Sequence, residues 1–394
     1  MNTSGDLSPH HRQLLDAPYP RFSETEMGRR ALVAENLRLA HDVDHLLAYS
    51  SSGVGGAVTW WTQWPVTREA ALVLAPEGEG SLLIQFFNHV PLATRLSEGV
   101  VVQWVGPDTG VGISEEIRRR GARRVGVIGP LPWNIATRLV GEGVELVDLT
   151  GAYVKERLVK SDEEISWMSL AAHLGDRAVS VLETRVLGEN ERGLGARVEA
   201  TFLPLGGVNG LHYFAVNPME NPTYAVPRQH PSTRRVESGD VISTEITVNF
   251  FDYGAQILRT FSVEAPLNPL FKDLHDVAEE AFARLSTLLR PGTPVSRLVE
   301  ASSVIEEAGF TTIDDLVHGY GGGYLPPILG SRSRPHAALP DFTLKAGMTL
   351  VVQPNVVTRD GRAGVQTGEC LLVGEDGPIR LHQYPEGAQL MTTA

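Results

Sequence analysis

The stretch Gly239–Val263, GDVISTEITVNFFDYGAQILRTFSV, decides the fold and contains the centre of a candidate site. A Gly-Asp turn precedes a run rich in Val, Ile, Thr and Phe, which favours a β-strand. Alternation with period two puts Glu245 on the polar face of this strand, and a second strand after Asp252 carries Gln256 and Arg259. Polar groups at strand centres need partners, so the pattern indicates the floor of a site. A half-solvated hairpin with one polar face would give the same alternation.

Length and charge limit the class of protein. A chain of 394 residues is longer than one typical domain, so two domains are expected. The balance of 34 basic and 47 acidic residues gives a net charge of −13, which disfavours nucleic acid or an anionic membrane as partner. The single cysteine, Cys370, excludes an intrachain disulfide, and we expect a buried, inert thiol. No apolar run reaches membrane-span length and no signal region opens the chain, so we expect a soluble, cytoplasmic protein.

The patterning along the chain predicts a leader and two domains. Residues 1–24 are predicted to be a flexible leader. Residues 25–155 alternate helices and strands, which is typical of an α/β domain. Residues 156–394 carry further helices, a central hairpin and two more strands, and are expected to form the second, α+β domain. Near the boundary, Ser161 and Glu164 form a capping-box pattern that predicts the start of a helix.

Several motifs follow one another along the chain. In order, they are Lys160-Ser-Asp-Glu-Glu-Ile, PSTRRVESGD (231–240), Arg259-Thr260-Phe261, His318-Gly319-Tyr320-Gly321, GMTLVVQPNVV (347–357) and GVQTGECLLVGEDG (364–377). Together and in this order they resemble the creatinase, aminopeptidase P and prolidase superfamily, a peptidase M24-like family. The resemblance covers most of the chain and implies a creatinase-type α/β domain followed by a pita-bread catalytic domain.

The same resemblance bears on metal binding. Metal-dependent members of the superfamily hold two divalent ions with two Asp, one His and two Glu. In this chain those positions carry, in order, Glu245, Gln256, His318, Gln353 and Glu369. Two neutral amides in place of carboxylates remove two negative charges from the ligand cage. We therefore expect a divergent member without a metal cofactor, while a single divalent ion on Glu245, His318 and Glu369 stays open as an alternative.

Residue chemistry suggests roles within this frame. His318 is the expected general acid/base, and Glu245 or Glu369 would orient it or activate water. Arg259 would bind a substrate carboxylate, or would pair structurally with Glu245 or Asp240. The family's loop histidine corresponds to Arg228 without a gap, so which loop histidine enters the site is open. The expected substrate-binding side chains are Gln256, Gln353, Arg259, His230, His212, Tyr320 and Tyr324.

The N-terminal domain has its own candidates. The resemblance implies a homodimer in which this domain closes over the partner's site. Trp64 and Arg68 would then contact substrate near the subunit interface. Core packing is the commoner explanation for tryptophan.

Three functions follow from these observations. The favoured hypothesis is a metal-independent, creatinase-like hydrolase or lyase that cleaves a C–N or related bond of a small polar metabolite by acid/base catalysis. The second is a metal-dependent Xaa-Pro aminopeptidase or dipeptidase with altered ligands. The third is a non-catalytic pita-bread binding module. Metal content and chelator sensitivity would separate the first two.

Overall fold

The computed structural model describes residues 7–51, 55–335 and 338–392. The chain divides into two compact units, an N-terminal unit of Ala17–Arg157 and a C-terminal unit that combines Met1–Asp16 with Leu158–Ala394. The division after Arg157 lies two residues beyond the predicted boundary at residue 155.

The N-terminal unit alternates helices and strands, as the sequence predicts. Its helices are α2 (Glu24–Ala40), α3 (Ala57–Thr62), α4 (Val90–Leu96), α5 (Thr109–Arg120), α6 (Trp133–Gly141) and α7 (Thr150–Glu156). Its strands are β1 (His45–Ser51), β2 (Glu69–Leu74), β3 (Gly80–Ile84), β4 (Val100–Trp104), β5 (Arg124–Ile128) and β6 (Glu145–Asp148).

The six strands of this unit form one sheet in the order β4-β3-β2-β1-β5-β6. Strand β2 runs antiparallel to both of its neighbours, and the remaining pairs are parallel. Successive residues such as Leu82 and Leu83 belong to separate apolar clusters on the two sides of the sheet. Both faces are therefore buried, which explains the near-continuous apolar runs of these strands.

The C-terminal unit contains α1 (Pro9–Asp16) and the helices after the division. These are α8 (Asp162–Ser180), α9 (Glu191–Phe202), α10 (Pro269–Thr287), α11 (Val295–Ala301) and α12 (Ser303–Glu307). Its strands are β7 (Gly207–Pro218), β8 (Asp240–Phe250), β9 (Tyr253–Val263), β10 (Thr311–Thr312), β11 (Val317–Gly319), β12 (Leu325–Leu329), β13 (Thr349–Val352), β14 (Val356–Val357), β15 (Gly368–Val373), β16 (Pro378–Arg380) and β17 (Gln389–Met391).

A nine-stranded sheet organises this unit, with the path β12-β11-β13-β15-β9-β8-β7. Strands β16 and β17 pair with β15 and β9 off that path. The predicted hairpin forms β8 and β9, and every residue of β9 is buried. Helix α8 packs against both strands, so the hairpin is the centre of a core and not a solvated ribbon.

Two local predictions can be compared directly with the structure. The capping box is confirmed: Ser161 Oγ accepts from Glu164 N–H, and the Glu164 carboxylate accepts from Ser161 N–H. The segment predicted to be a flexible leader contains α1, whose Leu14 is buried, and Glu24 already begins α2. Residues 1–6 of that segment lie outside the described residues. In the described ranges, no helix combines the length and apolarity needed to cross a bilayer.

Candidate active site

The hairpin places Glu245 and Gln256 side by side. Glu245 lies opposite Leu258, and Thr247 lies opposite Gln256. Residues directly opposite in an antiparallel pair project to the same side, so these four side chains share one face, which we call the site face. Gln256 Nε2 donates to Glu245 Oε1 at 2.8 Å and to Gln353 Oε1 at 3.1 Å. The three predicted polar residues thus form one chain of hydrogen bonds.

A third amide, which the sequence reasoning missed, completes the environment of Glu245. Gln366 Nε2 donates to the second carboxylate oxygen, Glu245 Oε2, at 3.4 Å. Gln366 lies in the same GVQTGEC motif as Glu369, three residues earlier. The motif could have indicated Gln366, but acid/base chemistry favoured its acidic residue, Glu369. Glutamine amides therefore donate to both oxygens of the Glu245 carboxylate.

The electrostatics of Glu245 favour its protonated form more than usual. Burial is the largest cause and raises the pKa of this carboxyl to about 7. Repulsion from Asp314 raises it further, while the hydrogen bonds from Gln366 and Gln256 oppose the shift. None of the groups that chiefly act on Glu245 is cationic. The carboxyl can therefore take up and release a proton near neutral pH.

His318 lies on the site face as a residue of strand β11, and not in a glycine loop. It pairs with Val351, which pairs with Cys370 on β15. Its Nδ1 is 3.1 Å from Gly319 O; because a carbonyl only accepts, Nδ1 carries the proton and Nε2 is an acceptor. Burial lowers the pKa of His318 to about 4, so the ring is neutral at pH 7. It is therefore a weaker base than the sequence suggested.

Two tyrosines, predicted as substrate-binding side chains, flank the histidine. The Tyr324 ring stacks on the imidazole with centroids 3.8 Å apart and planes 15° apart. Its hydroxyl donates to Asp315 Oδ2 at 2.6 Å. Tyr320 is buried and meets the imidazole edge-on at 5.8 Å. Burial raises the pKa of Tyr320 to about 12, so both phenols remain protonated donors.

Glu369, predicted as catalytic, projects away from these residues. It pairs with Ile257, whereas Gly368 pairs with Leu258 on the site face. Glu369 therefore lies on the opposite face of the sheet. There it accepts from Arg259 Nη2 at 2.6 Å and from Arg380 Nε at 2.5 Å. The predicted catalytic role of Glu369 is therefore corrected: its carboxylate is the anion of a buried ion-pair network.

Arg259 belongs to the same network. Its contacts therefore fit a structural ion pair, the alternative to binding a substrate carboxylate. Its partner is Glu369, not Glu245 or Asp240; the latter binds Arg234 at 2.6 Å. Arg259 also donates to four backbone carbonyls and is only 3% exposed. The structure leaves no outward-facing guanidinium here to receive a substrate carboxylate.

The two histidines considered for the site lie in different elements, His212 in strand β7 and His230 in a loop. His212 pairs with Ile246, so it lies on the opposite face, where its Nδ1 is 3.3 Å from Glu199 Oε1. His230 lies exposed in the loop before β8. The neighbour of His212, Tyr213, pairs directly with Glu245 and lies on the site face. Strand alternation would have selected Tyr213 once the register was known.

The two N-terminal candidates, Trp64 and Arg68, belong to the N-terminal unit. Trp64 is buried and packs against His89 with ring centroids 5.7 Å apart. Arg68 is exposed, and its guanidinium lies 6.0 Å from the centroid of the Phe86 ring. Trp64 thus has the core environment that its residue type suggests. A contact of either residue with substrate in a dimer stays a prediction.

The donor set on the site face does not fit a pair of metal ions. Glu245 is the one carboxylate there among the five positions that the resemblance assigns to ligands. Gln256 and Gln353 are neutral amides. Glu369 faces the other side of the sheet, and the β15 residue on the site face, Gly368, has no side chain. Across residues 7–51, 55–335 and 338–392, no three His, Cys, Asp or Glu side chains are grouped to hold an ion. The trio Glu245, His318 and Glu369, considered for a single ion, is not brought together.

Comparison with known proteins identifies the family. A family model described as metallopeptidase family M24 matches residues 166–375. The chain is 27% identical over 239 residues to an Xaa-Pro dipeptidase of Pyrococcus furiosus, a match of 57% of this chain and 63% of that protein. It is 26% identical over 269 residues to an Xaa-Pro dipeptidase of Pyrococcus horikoshii, covering 66% of this chain and 73% of that protein. The match thus spans less than two thirds of the Pyrococcus furiosus relative.

Solved structures agree with the fold. An X-Pro aminopeptidase from Thermotoga maritima superposes with a TM-score of 0.78 over 92% of this chain and 99% of that chain, at 18% identity. This similarity confirms the α/β domain followed by a pita-bread domain that the sequence resemblance implied. Together with the family model, which covers more than half of the chain, it leads to one conclusion: this chain belongs to metallopeptidase family M24.

Proposed function

We propose that this chain is a hydrolase that cleaves a C–N or related bond of a small polar substrate by acid/base chemistry at Glu245 and His318, without a metal ion. The observation that carries the proposal is the arrangement on the site face. There, one carboxyl is held by Gln256 and Gln366 in the hydrogen-bonded group that also includes Gln353, and a neutral imidazole lies on the same face. Glu245, Gln256 and Gln353 occupy three of the five positions at which the sequence resemblance implies metal ligands.

Glu245 is the proposed proton carrier. As carboxylate it would take a proton from a water molecule while the water oxygen bonds to the electrophilic carbon of the substrate. As carboxylic acid it would return that proton to the departing nitrogen when the C–N bond breaks. Its pKa of about 7 suits both steps, because each protonation state is well populated at neutral pH.

His318 and the amides would position the reactants. The Nε2 atom of His318 carries a lone pair, because Nδ1 holds the ring proton, so Nε2 can orient the attacking water or a substrate N–H. Gln353 Nε2 donates to Asp315 O at 3.2 Å, which fixes its orientation next to Gln256. These neutral groups can position a polar substrate without adding charge.

The test compares matched Glu→Gln substitutions in protein purified without added metal. Glu245→Gln should lower kcat/KM by about 100-fold or more, the scale of a positioned acid/base group. The control is Glu237→Gln, at an exposed side chain just before β8, which should leave turnover unchanged. The screen should include small amides, guanidines, amino acids and Xaa-Pro dipeptides. Elemental analysis on the same preparation should find well under one equivalent of metal, and chelators should have no effect.

A second candidate is a metal-dependent Xaa-Pro peptidase, favoured by the similarity to the two Pyrococcus Xaa-Pro dipeptidases and by the match to metallopeptidase family M24. Bound transition metal at about two equivalents, with activity lost to chelators, would establish that candidate and reject ours. Absence of turnover in the whole screen, with ligand binding retained, would favour a non-catalytic binding module.

A further inference from the structure

A cavity of about 130 Å³ lies in the N-terminal unit, between helix α2 and the amino ends of strands β1 and β4. Its floor is formed by Ala34 of α2, Leu46 of β1, Trp61 of α3 and Leu74 of β2, which are all at most 8% exposed. The lining continues outward to exposed residues such as Ala31. This space, which we call the α2 cavity, therefore has a buried apolar floor and a mouth open to solvent.

Short side chains on α2 leave the space unfilled. Met27, Ala31 and Ala34 line the cavity at intervals of four and three residues, as positions on one face of a helix do. Two of these three side chains are single methyl groups, which fill little of the gap between the helix and the sheet. Ala34, Leu46 and Trp61 belong to one apolar cluster, so the cavity is continuous with the core of this unit.

The polar groups that line the cavity already have partners. Trp61 Nε1 donates to a backbone carbonyl of α2 at 2.9 Å. Arg38 donates to both carboxylate oxygens of Glu35, at 2.6 and 2.9 Å, and Glu98 accepts from Arg21. Among the residues that the structure describes, no buried polar atom of the lining lacks a hydrogen-bond partner. A ligand in the cavity would therefore gain from apolar contact and not from new hydrogen bonds.

Charge and hydration favour a neutral ligand over an ion or water. The charges at the mouth are matched in pairs, Glu35 with Arg38 and Glu98 with Arg21. A buried water needs two to four polar partners, and the floor offers none that is unpaired. Apolar cavities of about 150 Å³ stay dry and bind benzene, so the α2 cavity has a suitable size for one small ring.

We propose that the α2 cavity binds a neutral monocyclic aromatic molecule of about six to eight carbons. The indole ring of Trp61 favours an aromatic ligand, because pairs of rings attract each other beyond the area they bury. A peptide segment fits less well, since its backbone N–H and C=O groups would find no unpaired partner on the floor. The inference is independent of the proposed function, because the lining residues all belong to the N-terminal unit.

The primary test is titration calorimetry of the intact wild-type chain with benzene, toluene and ethylbenzene. One molecule per chain should bind, and affinity should rise about 4-fold with each added carbon, the gain from burying one methylene. The probe 1,3,5-triethylbenzene is more apolar but carries ethyl groups on three sides of the ring, so it should bind at least about 10-fold more weakly than ethylbenzene. Affinity that follows apolarity alone, or no saturable binding of the three small probes, would overturn the proposal.

A polar probe tests the chemical class of the ligand. Phenol is close to toluene in size, but its hydroxyl would find no free partner on the floor of the cavity. It should therefore bind at least about 10-fold more weakly than toluene. Equal affinity for the two probes would reject an apolar site.

Substitutions on α2 then assign the binding to the cavity. Ala34→Leu adds volume at the floor and Ala31→Leu adds volume at the mouth, so each should weaken toluene binding by at least about 10-fold. The matched control is Ala40→Leu, at the exposed end of the same helix and outside the lining, which should leave the affinity unchanged. Wild-type toluene affinity in Ala31→Leu, with unchanged circular dichroism, would place the ligand elsewhere and reject the assignment, whether or not Ala34→Leu folds.

Discussion

Replacing Glu369 by glutamine should destabilise the protein more than the same replacement at Glu245. Glu369 is fully buried and neutralises Arg259, which is only 3% exposed. Arg380, which is partly exposed, contributes two further hydrogen bonds to the same carboxylate. After Glu369→Gln, the Arg259 charge stays buried without its counter-ion.

The magnitude follows from the burial of this pair. Breaking a buried ion pair from one side costs about 3–5 kcal/mol. Glutamine keeps one acceptor oxygen near Arg259, so we expect the lower end, about 3 kcal/mol. With a urea dependence of about 3 kcal/mol per molar, as for larger domains, the midpoint of unfolding should fall by about 1 M.

The assay is urea unfolding followed by circular dichroism, with Glu245→Gln as the matched control. Glu245 has no cationic partner among its chief influences, and burial already raises its pKa to about 7. Its replacement should therefore shift the midpoint by less than about 0.3 M, equivalent to about 1 kcal/mol. Turnover should show the opposite pattern: Glu245→Gln should lose more turnover than folded Glu369→Gln. If Glu369→Gln unfolds at the wild-type midpoint while losing substrate binding, the assignment of these residues to opposite faces is wrong.

Three further outcomes can be checked by unfolding measurements. Gly368→Ala should cost more than about 3 kcal/mol, because a Cβ would lie 2.1 Å from Val352 O at a φ of +151°; a wild-type melting temperature would contradict this. Ser161→Ala should cost about 1 kcal/mol through loss of the helix cap, and an unchanged urea midpoint would refute that role. Burial opposes ionisation of Glu116, but hydrogen bonds from two arginines and a serine outweigh it and lower its pKa to about 2. This carboxylate therefore stabilises the fold fully above its ordinary pKa of 4.5, by about 3 kcal/mol, and the contribution is lost as the pH falls through about 2. Glu116→Gln should abolish that part of the acid dependence; an unaltered pH profile of stability would count against it.

Local patterns predicted much of the fold because they act over short distances. The alternation in Gly239–Val263 predicted the hairpin and the polar side of Glu245, since strand side chains alternate by geometry alone. The same parity already separates Gln256 from Arg259, a signal that the sequence reasoning did not use. The capping box at Ser161 was equally local.

Which residues belong to the site was less predictable, because this depends on the pairing of strands that are far apart in the sequence. Whether Gly368 or Glu369 faces Glu245 is set by the register of β15 against β9, and a shift of one residue exchanges the two faces. Chemistry alone favoured the acidic residue. Gln366 was overlooked although it lies in the GVQTGEC motif, because a neutral amide suggests no acid/base role by its residue type alone.

The sequence by itself determined the family, the strand-forming hairpin and the neutral amides of Gln256 and Gln353, because each depends on residue types and their local spacing. Tertiary structure alone decided that Glu369 neutralises Arg259 while Gln366 reaches Glu245. It also decided the charge states, since burial raises the pKa of Glu245 and lowers that of His318. Register and burial arise from contacts between residues far apart in the chain, and no local pattern contains them.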